Sequence, residues 1–299
     1  MLTIKHILCP IDFSEASRHA LAHAIAIAKW YEARITGLHV SYPSIVVNPP
    51  ILLAEGSHDW LDARATGPEL QEQLDEWLVA ARRVGVLTDA MVDAGNPAVR
   101  ILSVAASFHA SLIVMGTHGR SGFERLLLGS VAEKVLRRAQ CPVMTVPPPA
   151  VSTSKLPFAH LLCPVDFSDS SLRALEFAFS MAEESNARLT LMHVFEWPSD
   201  EASARRVLET SEYHRVWEAE TKQKLKALIP DEVRNWCTPE PVLAFGKAYQ
   251  EILRAATAEN VDLIVMGVHG RNVLDRMVFG STTNQVVRQA SCPVLTLRS

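Results

Sequence analysis

A chain of 299 residues, 48% apolar and 21% charged, is too long for one ordinary core, long enough for two domains, and too apolar for disorder. A formal net charge of −4 without a dense Lys/Arg run argues against a general nucleic-acid or membrane-surface binder and leaves specific small ligands open. The N-terminus enters a strand-like run at once, no segment approaches the length of a bilayer span, and five cysteines without a close CxxC pair fit a reducing compartment; the expectation is a soluble, cytoplasmic protein.

In chain order, strand and helix patterns alternate. Ile7 to Asp12 is a short apolar run ending in Pro and Asp, and Ser14 is placed to cap the Ala-rich amphipathic helix that follows to about Tyr31. Then come RITGLHV (strand), a loop, ELQEQLDEWLVAARRV (helix), LTDAMVD (strand), PAVRILSVAASF (helix), LIVMG (strand), a glycine-framed loop, VAEKVLRRA (helix) and PVMTVP (strand). PPPAVSTSKLP is rich in Pro and Ser and reads as a linker, after which the same order begins again, with Leu172, Leu175, Phe179 and Ala182 at helical spacing. Domains are expected over residues 1–148 and 157–299, with 149–156 between them. Continuous apolar strands separated by helices predict an α/β fold of two tandem five-stranded, parallel-sheet sandwiches.

The halves are copies. HILCPIDFSEAS (6–17) matches HLLCPVDFSDSS (160–171) at 8 of 12 positions, and the segment 110–146 matches 261–297 at 18 of 37. The offset falls from 154 to 151 between these blocks, so a net three-residue length difference lies in the variable middles, roughly 42–92 and 196–243. The most closely repeated stretches are the two strand ends Pro10-Ile11-Asp12 and Gly116 onward. Ligands in such sheets bind beyond the carboxyl ends of the strands, where the strand order reverses, so the pattern makes sense if the first and fourth strands are neighbours.

GTHGRSGFERLLLGS (116–130) and GVHGRNVLDRMVFGS (267–281) keep one frame, Gly-x-x-Gly, nine residues, Gly-Ser. Gly116 and Gly119 let backbone N–H groups approach a ligand, and Gly129-Ser130 opens a helix whose free N–H groups and dipole suit a phosphate. Arg120 and Arg271, with Arg125 and Arg276, supply cations at matching places, while Asp12 and Asp166 offer acceptors for ribose hydroxyls or an adenine amine. These parts together describe a nucleotide site. No GxxxxGK[ST] or GxGxxG is present, no carboxylate cluster implies a tightly held metal, although Mg²⁺ commonly accompanies ATP phosphates, and no general base is placed to activate water at a γ-phosphate. His118 and His269 are expected to be exposed loop residues with structural hydrogen bonds. His6 and Cys9, like His160 and Cys163, stand three apart on a strand and so face opposite ways, which makes a zinc site improbable. Cys141 and Cys292 are expected to be apolar structural residues, and the charged helix near Glu212 to Lys226 a solvated face.

At these motifs the sequence resembles the universal stress protein family in its tandem-domain, ATP-binding form. The glycine frame matches twice without a gap, and the opening C-P-x-D-x-S, the His39-Val40 and His193-Val194 strand ends and the closing C-P-V strands resemble the family as well. The resemblance implies an adenine nucleotide alpha hydrolase-like sheet ordered 3-2-1-4-5, with ATP between the ends of strands one and four. It implies a first site of Pro10, Asp12, Val40, Met115, Gly116, Gly119, Arg120, Gly129, Ser130 and Val131. The second site would be Pro164, Asp166, Val194, Met266, Gly267, Gly270, Arg271, Gly280, Ser281 and Thr282, where Thr282 departs from the usual Val. Relatives of one domain pair through their fifth strands, so PVMTVP is expected to face PVLTLR across a pseudo-twofold axis within the chain, with homodimers of whole chains as a default. The expected function is a stress-response protein that binds ATP in each domain and serves as a nucleotide-dependent switch or interaction module. The alternative is a slow ATPase or nucleotidyl-transferring enzyme on the same scaffold.

Overall fold

Strands covered on both faces need apolar side chains pointing both ways, and the first strand shows it: Ile7 and Cys9 enter one apolar layer, Leu8 the other. A computed structural model describes residues 3–41, 67–118, 128–148, 158–196, 212–235, 237, 239–268 and 279–298. The first half contains β1 (His6–Pro10), α1 (Glu15–Tyr31), β2 (Arg34–Ser41), α2 (Gly67–Arg83), β3 (Thr88–Ala94), α3 (Pro97–Ser107), β4 (Leu112–Gly116), α4 (Ser130–Arg138) and β5 (Val143–Val146). The second contains β6 (His160–Pro164), α5 (Asp169–Ser185), β7 (Arg188–Phe195), α6 (Glu212–Ala227), β8 (Glu240–Phe245), α7 (Ala248–Ala258), β9 (Leu263–Gly267), α8 (Ser281–Gln289) and β10 (Val294–Leu297).

Helix starts follow local chemistry. Ser14 caps α1 and Ser168 caps α5, each side chain accepting from the backbone N–H three residues on, and both helices end in a left-handed residue, Glu32 and Asn186. Leu74 and Leu78 of α2, Leu175 of α5 and Leu225 of α6 lie in one apolar layer with the buried face of α1. Ile101 of α3, Val135 and Leu136 of α4, Ile252 of α7 and Val286 of α8 lie in the other.

The strand order is β3-β2-β1-β4-β5-β10-β9-β6-β7-β8, so each half has the expected order 3-2-1-4-5 and all pairings within a half are parallel. β1 and β4 are neighbours, with Ile7 beside Leu112 and Leu8 beside Ile113. The two sandwiches are not separate layers: β5 and β10 pair antiparallel and merge them into a single ten-stranded sheet. Met144 lies opposite Leu295, its own counterpart in the repeat, with Val143 opposite Thr296 and Thr145 opposite Val294. Thr145 Oγ1 donates to the Val294 carbonyl and Thr296 Oγ1 to the Val143 carbonyl, both at 3.2 Å, a reciprocal pair that marks the pseudo-twofold axis. Further contacts cross the seam. The Tyr31 hydroxyl is pushed up first by burial and then by the Glu184 carboxylate of the other half, and Arg298 Nη1 donates to the Arg137 carbonyl at the end of α4, 2.9 Å away.

Candidate nucleotide site

The carboxyl end of β1 is held by the strand beside it. Ile11 N donates to Leu38 O at 2.8 Å, and the buried His39 ring donates from Nδ1 to Ile11 O at 2.7 Å, which assigns its tautomer because a carbonyl only accepts. Phe13 then takes a left-handed conformation, φ 63°, that a bulky residue seldom adopts, with its ring 4.5 Å from the His39 ring. That turn brings Asp12 and Ser14 together: Asp12 Oδ1 accepts from Ser14 N at 3.1 Å and from Ser14 Oγ at 2.5 Å, while Ser14 Oγ accepts from Ser17 N at 3.2 Å. The carboxylate of Asp12 is therefore oriented by the start of α1. The second half repeats each part, with His193 Nδ1 2.7 Å from Val165 O, Phe167 at φ 63° and Asp166 Oδ1 3.0 Å from Ser168 N and 2.5 Å from Ser168 Oγ.

Across the crevice, β4 ends at Gly116. A Cβ there would stand 3.0 Å from both the backbone carbon and Cβ of Ala16, and one at Gly267 would stand 2.8 Å from the Ser170 backbone carbon. The first glycine of each frame is thus also required by the passage of α1 or α5 over the strand end, a packing reason independent of any ligand. Thr117 N donates to Val146 O at 3.2 Å, and Gly129 N donates to Thr117 O at 2.8 Å, which fixes the start of α4 against the end of β4. Gly280 N makes the same bond to Val268 O at 3.0 Å. α1, α3 and α5 carry a side-chain cap from Ser14, Asn96 and Ser168, but the N-cap residues of α4 and α8 are Gly129 and Gly280, which supply none. Asp12 and Asp166 follow β1 and β6, while the starts of α4 and α8 are tied to the ends of the neighbouring strands β4 and β9, their first-turn N–H groups without a side-chain acceptor from the cap.

The other expected site residues fall around this pair of strand ends. Pro10 and Pro164 close β1 and β6, Ser130 and Ser281 are exposed first residues of α4 and α8, and Thr282 is half-buried beside Ser281. Val40, Met115 and Val131 share one apolar layer, as do Val194 and Met266. Met115 and Met266 are only 5% and 4% exposed, so their side chains belong to that apolar layer rather than to the surface. Gly119, Arg120, Gly270 and Arg271, with Arg125, Arg276 and His269, lie outside the described residues. His118 is half-buried rather than exposed, and burial lowers its pKa from the ordinary 6.5. Two contributors were given no role by the sequence reading: His39 and its copy, quoted only as part of the strand-end motif, and Thr117, which holds the start of α4.

Away from the crevice, His6 Nε2 bonds Thr36 Oγ1 at 2.8 Å while Cys9 is fully buried in the opposite layer, its thiol pushed up to about 12 by burial. The five cysteines are unpaired, Cys292 being buried and Cys141 half-buried. Among the described residues no group of three or more His, Cys, Asp or Glu side chains is placed to hold a metal ion, and no helix is long and apolar enough to cross a membrane.

The sequence profile described as the universal stress protein family matches residues 3–147 and again 157–298. The chain belongs to the universal stress protein family. It is 41% identical over 145 residues to a universal stress protein of Methanocaldococcus jannaschii, covering 48% of this chain and 83% of that protein. With a universal stress protein of Mycolicibacterium smegmatis it shares 27% identity over 303 residues, 98% of this chain and 96% of the relative. The crystal structure of a universal stress protein from Archaeoglobus fulgidus superposes with a TM-score of 0.67 at 25% identity, covering 98% of each chain. The likeness to universal stress proteins therefore extends over both halves.

Proposed function

We propose that the chain binds ATP in each of its two crevices and acts as a nucleotide-dependent switch or interaction module. The observation that carries this reading is the doubled placement, at the ends of neighbouring strands, of an oriented carboxylate after one strand and a helix start whose cap supplies no side chain after the other. Asp12 and Asp166 accept from the adenosine end, and the first turns of α4 and α8 donate to phosphate oxygens through backbone N–H groups. Arg120 and Arg271 add charge to the phosphate end, and Mg²⁺ would arrive with the phosphates. The domains are taken as residues 1–148 and 157–299, one crevice in each, and the working compartment as the cytoplasm.

Calorimetric titration with ATP tests the reading. A stoichiometry near two per chain is expected, with single-turnover hydrolysis slow at saturation. Absence of binding, or a fast hydrolysis that collapses in Arg120→Ala at saturating ATP, would overturn it.

A further inference from the structure

The two crevices differ at the residue after the fourth strand: Thr117 stands in the first where Val268 stands in the second. Thr117 is 1% exposed, and its Oγ1 lies 2.8 Å from Nδ1 of His118. His118 itself abuts the start of α4, since a Cβ on Gly129 would come within 3.7 Å of the His118 Cα. Burial lowers its pKa from 6.5, so the ring is neutral near pH 7, with one nitrogen donating and the other accepting.

Proton bookkeeping selects the tautomer. Among the described residues the Thr117 hydroxyl has one side-chain partner, Nδ1. If Nδ1 carried the proton, the buried hydroxyl hydrogen would lose its acceptor and Nε2 would present an unused lone pair. If the hydroxyl donates to Nδ1, a single group is left over, an N–H on Nε2. Nε2 is buried and has no hydrogen-bond partner among the described residues. A buried donor left unmade costs more than a made one gains, so the arrangement fits an acceptor that arrives with the ligand.

We propose that Thr117 and His118 form a phosphate-reading pair found only in the first crevice. Thr117 is the positioning residue, its hydroxyl donating to Nδ1 so that the ring's proton sits on Nε2, and His118 Nε2–H donates to a phosphate oxygen of the nucleotide. Val268 has no hydroxyl to do this, so the two crevices discriminate phosphorylated from unphosphorylated adenosine to different degrees. The proposal rests on the nucleotide reading above and adds an inequality between its two sites.

The test is calorimetry of ATP and of adenosine on chains whose second crevice is closed by Gly280→Asp, comparing the native first crevice with Thr117→Val, His118→Ala and His118→Gln. A hydrogen bond to a charged oxygen corresponds to roughly 10-fold or more in affinity, so His118→Ala should weaken ATP by about that factor and leave adenosine unchanged. Thr117→Val, which installs the residue of the second half, should weaken ATP by a smaller factor, and His118→Gln, with an N–H near the place of Nε2, should recover part of the loss. Equal losses for ATP and adenosine would reduce the pair to a structural contact and overturn the proposal. So would unchanged ATP affinity in all three variants. If the native crevice binds neither ligand, the nucleotide reading fails and takes this inference with it; if it binds ATP but the variants match it, only the inference falls.

Discussion

His23 lies on the buried face of α1, 3% exposed, with Nδ1 donating to the His19 carbonyl at 2.9 Å. Burial first, and the neighbouring His19 to a lesser degree, hold its pKa below 6.5 against the opposing effect of that hydrogen bond. The unfolded chain then binds the proton more readily than the folded one, so stability is complete above pH 6.5 and declines as the pH falls from 6.5 toward the lower folded value. His6 is lowered in the same sense, again chiefly by burial. Urea midpoints should therefore hold steady above about pH 7 and drop on acidification, and His23→Phe, which copies Phe177 of α5, should flatten the acid limb. An acid limb of the same slope in the variant would remove His23 from the account. At this scale the sequence was most legible where the chemistry is local. Asp12 and Ser14 are two residues apart and make an Asx-type turn readable from the letters alone, whereas His39 acts on a carbonyl 28 residues away. Only the pairing of β1 with β2 brings that ring and carbonyl together.

The start of α4 has no side-chain cap because its N-cap residue is Gly129, at φ −59° and ψ 140°, a conformation that a residue with a side chain also adopts. Gly129→Asp would place a carboxylate where the proposed phosphate binds and would cap the first turn, a gain over glycine of only a few tenths of a kcal/mol, offset by the 3.2 Å approach of the new Cβ to Thr117 O. The expected outcome is a folded chain of nearly native melting temperature that binds one ATP instead of two, with Gly280→Asp giving the mirror result. Two ATP bound to either variant would mean that the helix start is not the phosphate end. Elements as a class were well marked in the sequence, since buried strands read as unbroken apolar runs and the helices carry caps and 3.6-residue patterning. The adjacency of β1 and β4 was legible only indirectly, through the two repeated strand ends and the family resemblance, because a parallel crossover leaves no local trace of which strand it lands beside. Among the described residues the outermost strands of the sheet are β3 and β8. Asp89 and Asp93 in β3 and Pro241 in β8 discourage further strand addition there.

At the scale of the molecule, the seam between β5 and β10 decides the assembly. Thr145→Val and Thr296→Val remove the two reciprocal hydroxyl bonds while keeping side-chain volume, and each should cost about 1 kcal/mol. Their sum should appear as a lower urea midpoint for the double variant, and a midpoint equal to the native one would show that the seam rests on the ladder and the apolar layers alone. That the halves would meet here came from resemblance. That they would share one sheet, with both apolar layers running through from one half to the other, depends on the antiparallel register centred on Met144 and Leu295. The same register has a consequence for valency. Because strand direction reverses at the seam, the crevice beyond β1 and β4 opens at one margin of the sheet and the crevice beyond β6 and β9 at the opposite margin. On the proposed reading the two sites therefore do not share a mouth, and a partner would meet them as two separate surfaces, set further apart in direction by the twist of the strands between them.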